Sequence, residues 1–123
     1  MACIAIVDDS RLARTFNAAA LKKLGHDLVE VDPTSMGEVL SVLRERKPDL
    51  LLMDYLMPNC PGPKLVRACH EDPALENMKI VLLTAHREED VQDGLEKLGV
   101  QRILHKPVDP KAIEEAVSHL LGA

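Results

Sequence analysis

Five short apolar runs, Cys3–Val7, Leu28–Val31, Leu50–Met53, Ile80–Leu83 and Ile103–Leu104, punctuate the chain, and each is followed by a stretch with helical period. Strands that alternate with helices, several of them apolar at every position, imply a parallel sheet covered on both faces. After the first run, Leu12, Phe16, Ala19, Ala20 and Leu24 fall on one helical face, with Gly25 as the stop. After the second, Ser35 and Glu38 read as a capping box ahead of Val39, Leu40 and Leu43. Leu65, Val66 and Cys69 form the third stripe, and Val91, Leu95 and Leu98 the fourth, closed by Gly99. Asp109 and Pro110 supply the N-cap and first turn before Ile113, Val117 and Leu120. No linker or repeat interrupts this pattern, and the one Pro-rich piece is the loop from Pro58 to Pro63. One doubly wound α/β domain over residues 1–123 is expected.

Composition removes several classes of function. The 123 residues carry a formal net charge of -5, which argues against a nucleic-acid or membrane surface resting on a basic footprint. The longest apolar run, Met1 to Val7, is far short of the roughly 20 residues that span a bilayer. It has no basic flank and ends at Asp8 and Asp9, unlike a secretory signal, so a cytoplasmic chain is expected. Three cysteines, Cys3, Cys60 and Cys69, are an odd count without C-x-x-C spacing and read as reduced thiols. Five scattered histidines make no zinc motif. Phe16 and Tyr55 are the only aromatics, so an aliphatic core is expected and a function needing a base-stacking platform is disfavoured.

In open α/β sheets ligands bind outside the carboxyl ends of the strands. The first run ends in Asp8-Asp9, the third in Asp54, the fourth in Thr84 and the fifth, after His105, in Lys106-Pro107. Three carboxylates, a hydroxyl and an ammonium therefore gather on one edge, side by side if the first and third strands are neighbours. Clustered carboxylates repel, and oxygen ligands with room for water suit Mg²⁺ better than zinc. A lysine acts as a point charge on a phosphoryl group, a threonine hydroxyl donates to it, and aspartate is a known covalent acceptor. The residues point to Mg²⁺-dependent phosphoryl transfer onto Asp54. Taken singly, each has a plainer use: Asp8 and Asp9 suit a helix N-terminus, Asp54 a turn, Thr84 an N-cap and Lys106 the surface. The combination carries the inference.

The stretches IAIVDDSRLAR, PDLLLMDYLMPNCPG, IVLLTA and ILHKP resemble, in order and spacing, the receiver domain of bacterial two-component response regulators. The resemblance covers the whole chain. It implies a flavodoxin-like (βα)5 sandwich with a parallel five-stranded sheet of order 2-1-3-4-5. It implies that Asp54 is the phosphoacceptor, that Asp9 ligates Mg²⁺ directly, and that Asp8 does so largely through water. The Leu56 backbone carbonyl completes the protein's share of the metal. Thr84 and Lys106 contact the phosphoryl oxygens, and Ala85 stays small to admit them. The donor implied is a phosphohistidine on a sensor histidine kinase or histidine phosphotransfer protein. The recipient of the signal is a downstream output protein or an output domain on a longer chain. Catalysis is limited to self-phosphorylation and autodephosphorylation, with Leu56 and His86 beside the attacking water's path. The resemblance also implies a cis Lys106-Pro107 peptide.

Two positions depart from the family pattern. Ile103 stands where an aromatic switch residue is usual, which shifts the expected readout to the loop after Thr84, around His86 to Asp90. The loop after Asp54 holds Cys60 and three prolines around Gly62, where a simpler M-P-x-x-x-G is common. A flavodoxin needs a phosphate loop and flanking aromatics that this chain lacks, and an aspartate-nucleophile phosphatase needs an acid where Leu56 stands. Dinucleotide and P-loop motifs are missing as well. The rival from another class is an interaction module that kept the fold but works without phosphorylation. The intact acidic cluster, Thr84 and Lys106 speak against it.

Overall fold

The apolar runs pair into one sheet because every backbone amide in them needs a partner once both faces are covered. A computed structural model describes residues 2–85, 94, 96, 97 and 99–122. Its strands are β1 (Cys3–Val7), β2 (Asp27–Val31), β3 (Leu50–Asp54), β4 (Lys79–Thr84) and β5 (Arg102–His105). All neighbours are parallel, in the expected order β2-β1-β3-β4-β5. The ladders run past the apolar runs into polar residues, so Asp54 and Thr84 are the last residues of their strands rather than the first of their loops. They are paired there, Asp54 with Leu83 and Thr84 with His105.

Helices α1 (Arg11–Lys22), α2 (Met36–Arg46), α3 (Gly62–Glu71) and α4 (Pro110–Leu121) are described, with a short 3-10 turn at Pro73–Leu75. Alternate residues of the central strands enter opposite cores. Ala5, Val7, Leu51 and Met53 pack with α2 and α3 through Val39, Leu43, Leu65 and Val66. Ile4, Ile6, Leu50 and Leu52 pack with α1 and α4 through Ala18, Leu21, Ile113 and Val117. Among the described residues, no helix is long and apolar enough to cross a membrane.

The expected stripe on the first helix is corrected. The buried residues of α1 are Asn17, Ala18 and Leu21, whereas Leu12 is 83% and Phe16 58% exposed, and Leu24 also faces outward. Small Ala18 lets α1 approach the sheet closely, and the turn that enters the helix fixes its rotation. The capping box of α2 is half formed. Ser35 accepts from the Glu38 amide at 3.1 Å, but the Glu38 carboxylate takes the Thr34 hydroxyl instead of reaching back. The stripe on α3 is buried as expected; on α4 Ile113 and Val117 are buried with Ala116, while Leu120 is only partly buried, and Asp109 caps α4 through the Lys111 amide at 2.9 Å. In the fourth helical stretch Gly94, Glu96 and Lys97 are helical, while Val91, Leu95 and Leu98 lie outside the described residues. Gly99 closes it at φ +102°, and a Cβ there would stand 3.0 Å from the His70 imidazole.

The three cysteines are free thiols, with Cys60 and Cys69 buried in the α2–α3 core and Cys3 partly exposed. Burial pushes the Cys69 thiol up to about 12 and raises Cys3 and Cys60 as well. A disulfide reagent added to native protein near about pH 8 will modify Cys3 slowly and spare Cys60 and Cys69 until the chain unfolds. Prompt loss of all three thiols under native conditions would show that the α3 side is open.

Candidate functional site

Strand register brings the acids together. Val7 pairs with Met53, so Asp8 and Asp54 occupy equivalent places at the ends of neighbouring strands β1 and β3. One carboxylate oxygen each from Asp8, Asp9 and Asp54 lie within 4.8 Å of one another. Asp8 and Asp54 are buried and Asp9 is exposed. From β5, the Lys106 amide donates to the Thr84 carbonyl at 2.8 Å, extending the ladder by one residue. The Lys106 side chain then reaches Asp54, with Nζ 2.8 Å from Oδ1. Thr84 is buried at the end of β4. The Lys106-Pro107 peptide is cis, as expected.

The β1–α1 turn is held at four points. Asp8 Oδ1 accepts from the Ser10 amide at 2.9 Å, and Ser10 Oγ accepts from the Ala13 amide at 3.2 Å as the N-cap of α1. The Arg14 amide donates to the Ser10 carbonyl at 2.9 Å, and Arg14 Nη1 donates to the Asp8 carbonyl at 2.6 Å. Asp8 thus also serves the helix entry, which joins its plainer reading to the site. Arg14 was not legible as a site residue from motif spacing. The available signal was its place four and seven residues before Ala18 and Leu21, which puts a charge on the buried seam of α1.

Burial pushes the Asp8 carboxyl above the usual range, and the Asp54 and Asp9 carboxylates add to the rise. The Ser10 amide and the Lys106 ammonium oppose it. The donor set is carboxylate oxygen throughout and carries more negative charge than one ammonium offsets. It fits a hard divalent cation such as Mg²⁺.

The loop after β3 is tied down despite its prolines. The Tyr55 amide donates to the Leu83 carbonyl at 2.9 Å, and the Gly62 amide donates back to the Tyr55 carbonyl at 3.2 Å. A Cβ on Gly62 would meet that carbonyl oxygen at 2.7 Å, so only glycine lets the loop close. Pro61 stands at the N-cap of α3, and Met57 and Cys60 fill the core. Leu56, two residues past Asp54, keeps its side chain 63% exposed. Ile103 pairs with Leu82 and packs, partly buried, against the α2–α3 core. Ala85 is exposed, and His86 to Asp90 lie outside the described residues. Beside the acids a groove of about 480 Å³ runs between α1 and the start of α4, lined by Leu12, Phe16, Pro107 and Val108.

The family model described as the response regulator receiver domain matches residues 4–118. The chain is similar to the phosphate regulon transcriptional regulatory protein PhoB of Pseudomonas aeruginosa, 35% identical over 111 residues, or 89% of this chain and 47% of PhoB. It thus spans about half the length of that relative. It is also similar to protein PilH of the same organism, 29% identical over 122 residues and 99% of both chains. Among solved structures, the chemotaxis response regulator CheY4 of Vibrio cholerae shares the fold, with a TM-score of 0.88 over 98% of both chains at 22% identity.

Two variants test the site's construction. Because the Asp8 pKa is raised on folding, its contribution to stability is fully present below the usual carboxylate range and is lost as pH rises through the folded value. In EDTA at about pH 7, Asp8→Asn will therefore melt higher than wild type by about 2–4 °C, a modest gain because Asp9 leaves the site open to solvent. The gap should close near about pH 3; calorimetry showing no gap at neutral pH counts against the electrostatic account. Gly62→Ala will lower stability in urea by about 1–3 kcal/mol, since the Tyr55 carbonyl must move to admit the methyl group. A neutral result would mean that the loop closes without that contact.

Proposed function

The chain belongs to the family of response regulator receiver domains, the signalling domains of two-component systems, and from that premise we propose that Asp54 accepts a phosphoryl group with Mg²⁺. The donor is a phosphohistidine on a sensor histidine kinase or a histidine phosphotransfer protein. The observation that supports this most is the Lys106 ammonium 2.8 Å from Asp54 Oδ1, with carboxylate oxygens of Asp8, Asp9 and Asp54 within 4.8 Å of one another at the strand ends.

Each residue has a part. An Asp54 oxygen attacks phosphorus, forming an acyl phosphate as the P–N bond to the donor imidazole breaks and the imidazole leaves with the bonding pair. Lys106 orients the Asp54 carboxylate before transfer and offers its charge to the phosphoryl oxygens after it. The Thr84 hydroxyl, buried at the end of β4, donates to one of those oxygens. Asp8, Asp9, Asp54 and the Leu56 backbone carbonyl hold Mg²⁺, which supplies positive charge toward the phosphoryl group. Ala85 leaves space for the group. Removal of the phosphoryl group by water is self-catalysed, so the chain is a signalling domain and not an enzyme acting on other substrates.

Residues 1–123 are read as one receiver domain, working in the cytoplasm and making no direct contact with nucleic acid or membrane. The signal passes to a downstream output protein or to an output domain on a longer chain. Incubation with acetyl phosphate and Mg²⁺, followed by intact-mass measurement, will show one added phosphoryl group on wild type and none on Asp54→Ala. Equal labelling of Asp54→Ala, or undiminished labelling in EDTA, would sink the assignment.

A further inference from the structure

Arg14 is a guanidinium placed where a hydrophobic side chain would be expected. It lies on the inward seam of α1 with Ala18 and Leu21, and its side chain is only 11% exposed. Nε is buried without a hydrogen-bond partner among the described residues, and Glu30 Oε1 on β2 is 3.9 Å away, beyond hydrogen-bond reach. The same Glu30 oxygen lies 3.4 Å from Thr15 Oγ1. Burying a charged group with an unmatched N–H is unfavourable, which directs attention to the bond Arg14 does make.

That bond falls on the carbonyl of Asp8, the oxygen of the peptide that joins Asp8 to Asp9, at 2.6 Å. A peptide group is planar, so pinning its oxygen fixes the plane and with it the direction in which the chain leaves toward Asp9. The Asp8 side chain is fixed separately by the Ser10 amide. Arg14 also anchors the turn through its own amide, which donates to the Ser10 carbonyl at 2.9 Å. One residue therefore holds two of the carbonyls between β1 and α1.

We propose that Arg14 is a positioning residue for the divalent cation, setting the Asp8-Asp9 peptide so that both carboxylates face Asp54, with Glu30 steering its guanidinium. The inference rests on the Mg²⁺ site proposed above. Arg14 does not touch the ion; it acts through the ligands, as outer partners of metal sites do, and their loss typically weakens binding about 10–100-fold.

Isothermal titration with Mg²⁺ on wild type, Arg14→Gln, Arg14→Lys and Glu30→Ala tests this. Arg14→Gln should bind Mg²⁺ about tenfold more weakly. Arg14→Lys should recover part of the loss, since an ammonium reaches a carbonyl but lacks the planar fork. Glu30→Ala should show a smaller loss in the same direction. The Mg²⁺ concentration for half-maximal labelling by acetyl phosphate should rise by the same factor in Arg14→Gln, with the rate at saturating Mg²⁺ within about twofold of wild type. Mg²⁺ affinity unchanged within about twofold in Arg14→Gln overturns the inference, even if the variant is less stable, because a bracing role alone would lower stability and spare affinity. Should Arg14→Gln not fold, wild-type affinity in both Arg14→Lys and Glu30→Ala overturns it equally. Wild type that takes up no Mg²⁺ overturns the proposed function and this inference with it. Uptake by wild type, unaltered in Arg14→Gln, removes only the role of Arg14.

Discussion

The parallel register of β1 against β3 forces negative charge into one place. Val7 opposite Met53 leaves Asp8 and Asp54 no separate routes out of the sheet, and Asp9 follows Asp8 directly. Backbone pairing thus imposes a repulsion that local chemistry has to offset, and several surrounding features do so. Lys106 comes in from β5, the Ser10 amide turns toward Asp8, and the strand ends leave room for a cation. The same edge that is awkward for an isolated fold is suited to gathering phosphoryl oxygens, cation and ammonium around one nucleophilic carboxylate.

The route by which Asp54 is surrounded also explains the unusual loop behind it. Cys60 and the prolines do not loosen that segment. Met57 and Cys60 sink into the α2–α3 core, and Gly62 returns its amide to Tyr55, whose own amide is bonded to Leu83 of β4. The loop bearing Leu56 is therefore anchored to the strand on the far side of Asp54 as well as to the helix that follows.

Much of this was readable from the chain. Continuous apolar runs ending in Asp8-Asp9, Asp54, Thr84 and Lys106 located both the sheet and its functional edge, because burial on two faces suppresses polar residues until a strand ends. The first helix was misread for a related reason. An apolar stripe marks a buried face only when nothing else fixes the helix's rotation, and here the Arg14 and Ser10 bonds turn Leu12 and Phe16 outward and small Ala18 inward. Arg14 itself escaped notice because a lone arginine beside an acidic pair reads as surface charge; only its phase relative to Ala18 and Leu21 distinguishes it. The reciprocal half of the α2 cap failed because Thr34 offers Glu38 a nearer hydroxyl. The ladders continue one residue past the apolar runs, to Asp54 and Thr84, because backbone pairing does not depend on side-chain polarity.

β3 is buried at every position and alternates its side chains between the two cores, Leu51 and Met53 on one side, Leu50 and Leu52 on the other. It is a wall shared by two rooms. Neither layer of helices can lose its packing without stripping one face of that strand and exposing its ladder, which also supports the other layer. The two cores are consequently bound to melt together, as one cooperative unit, though each is stitched from a different pair of helices.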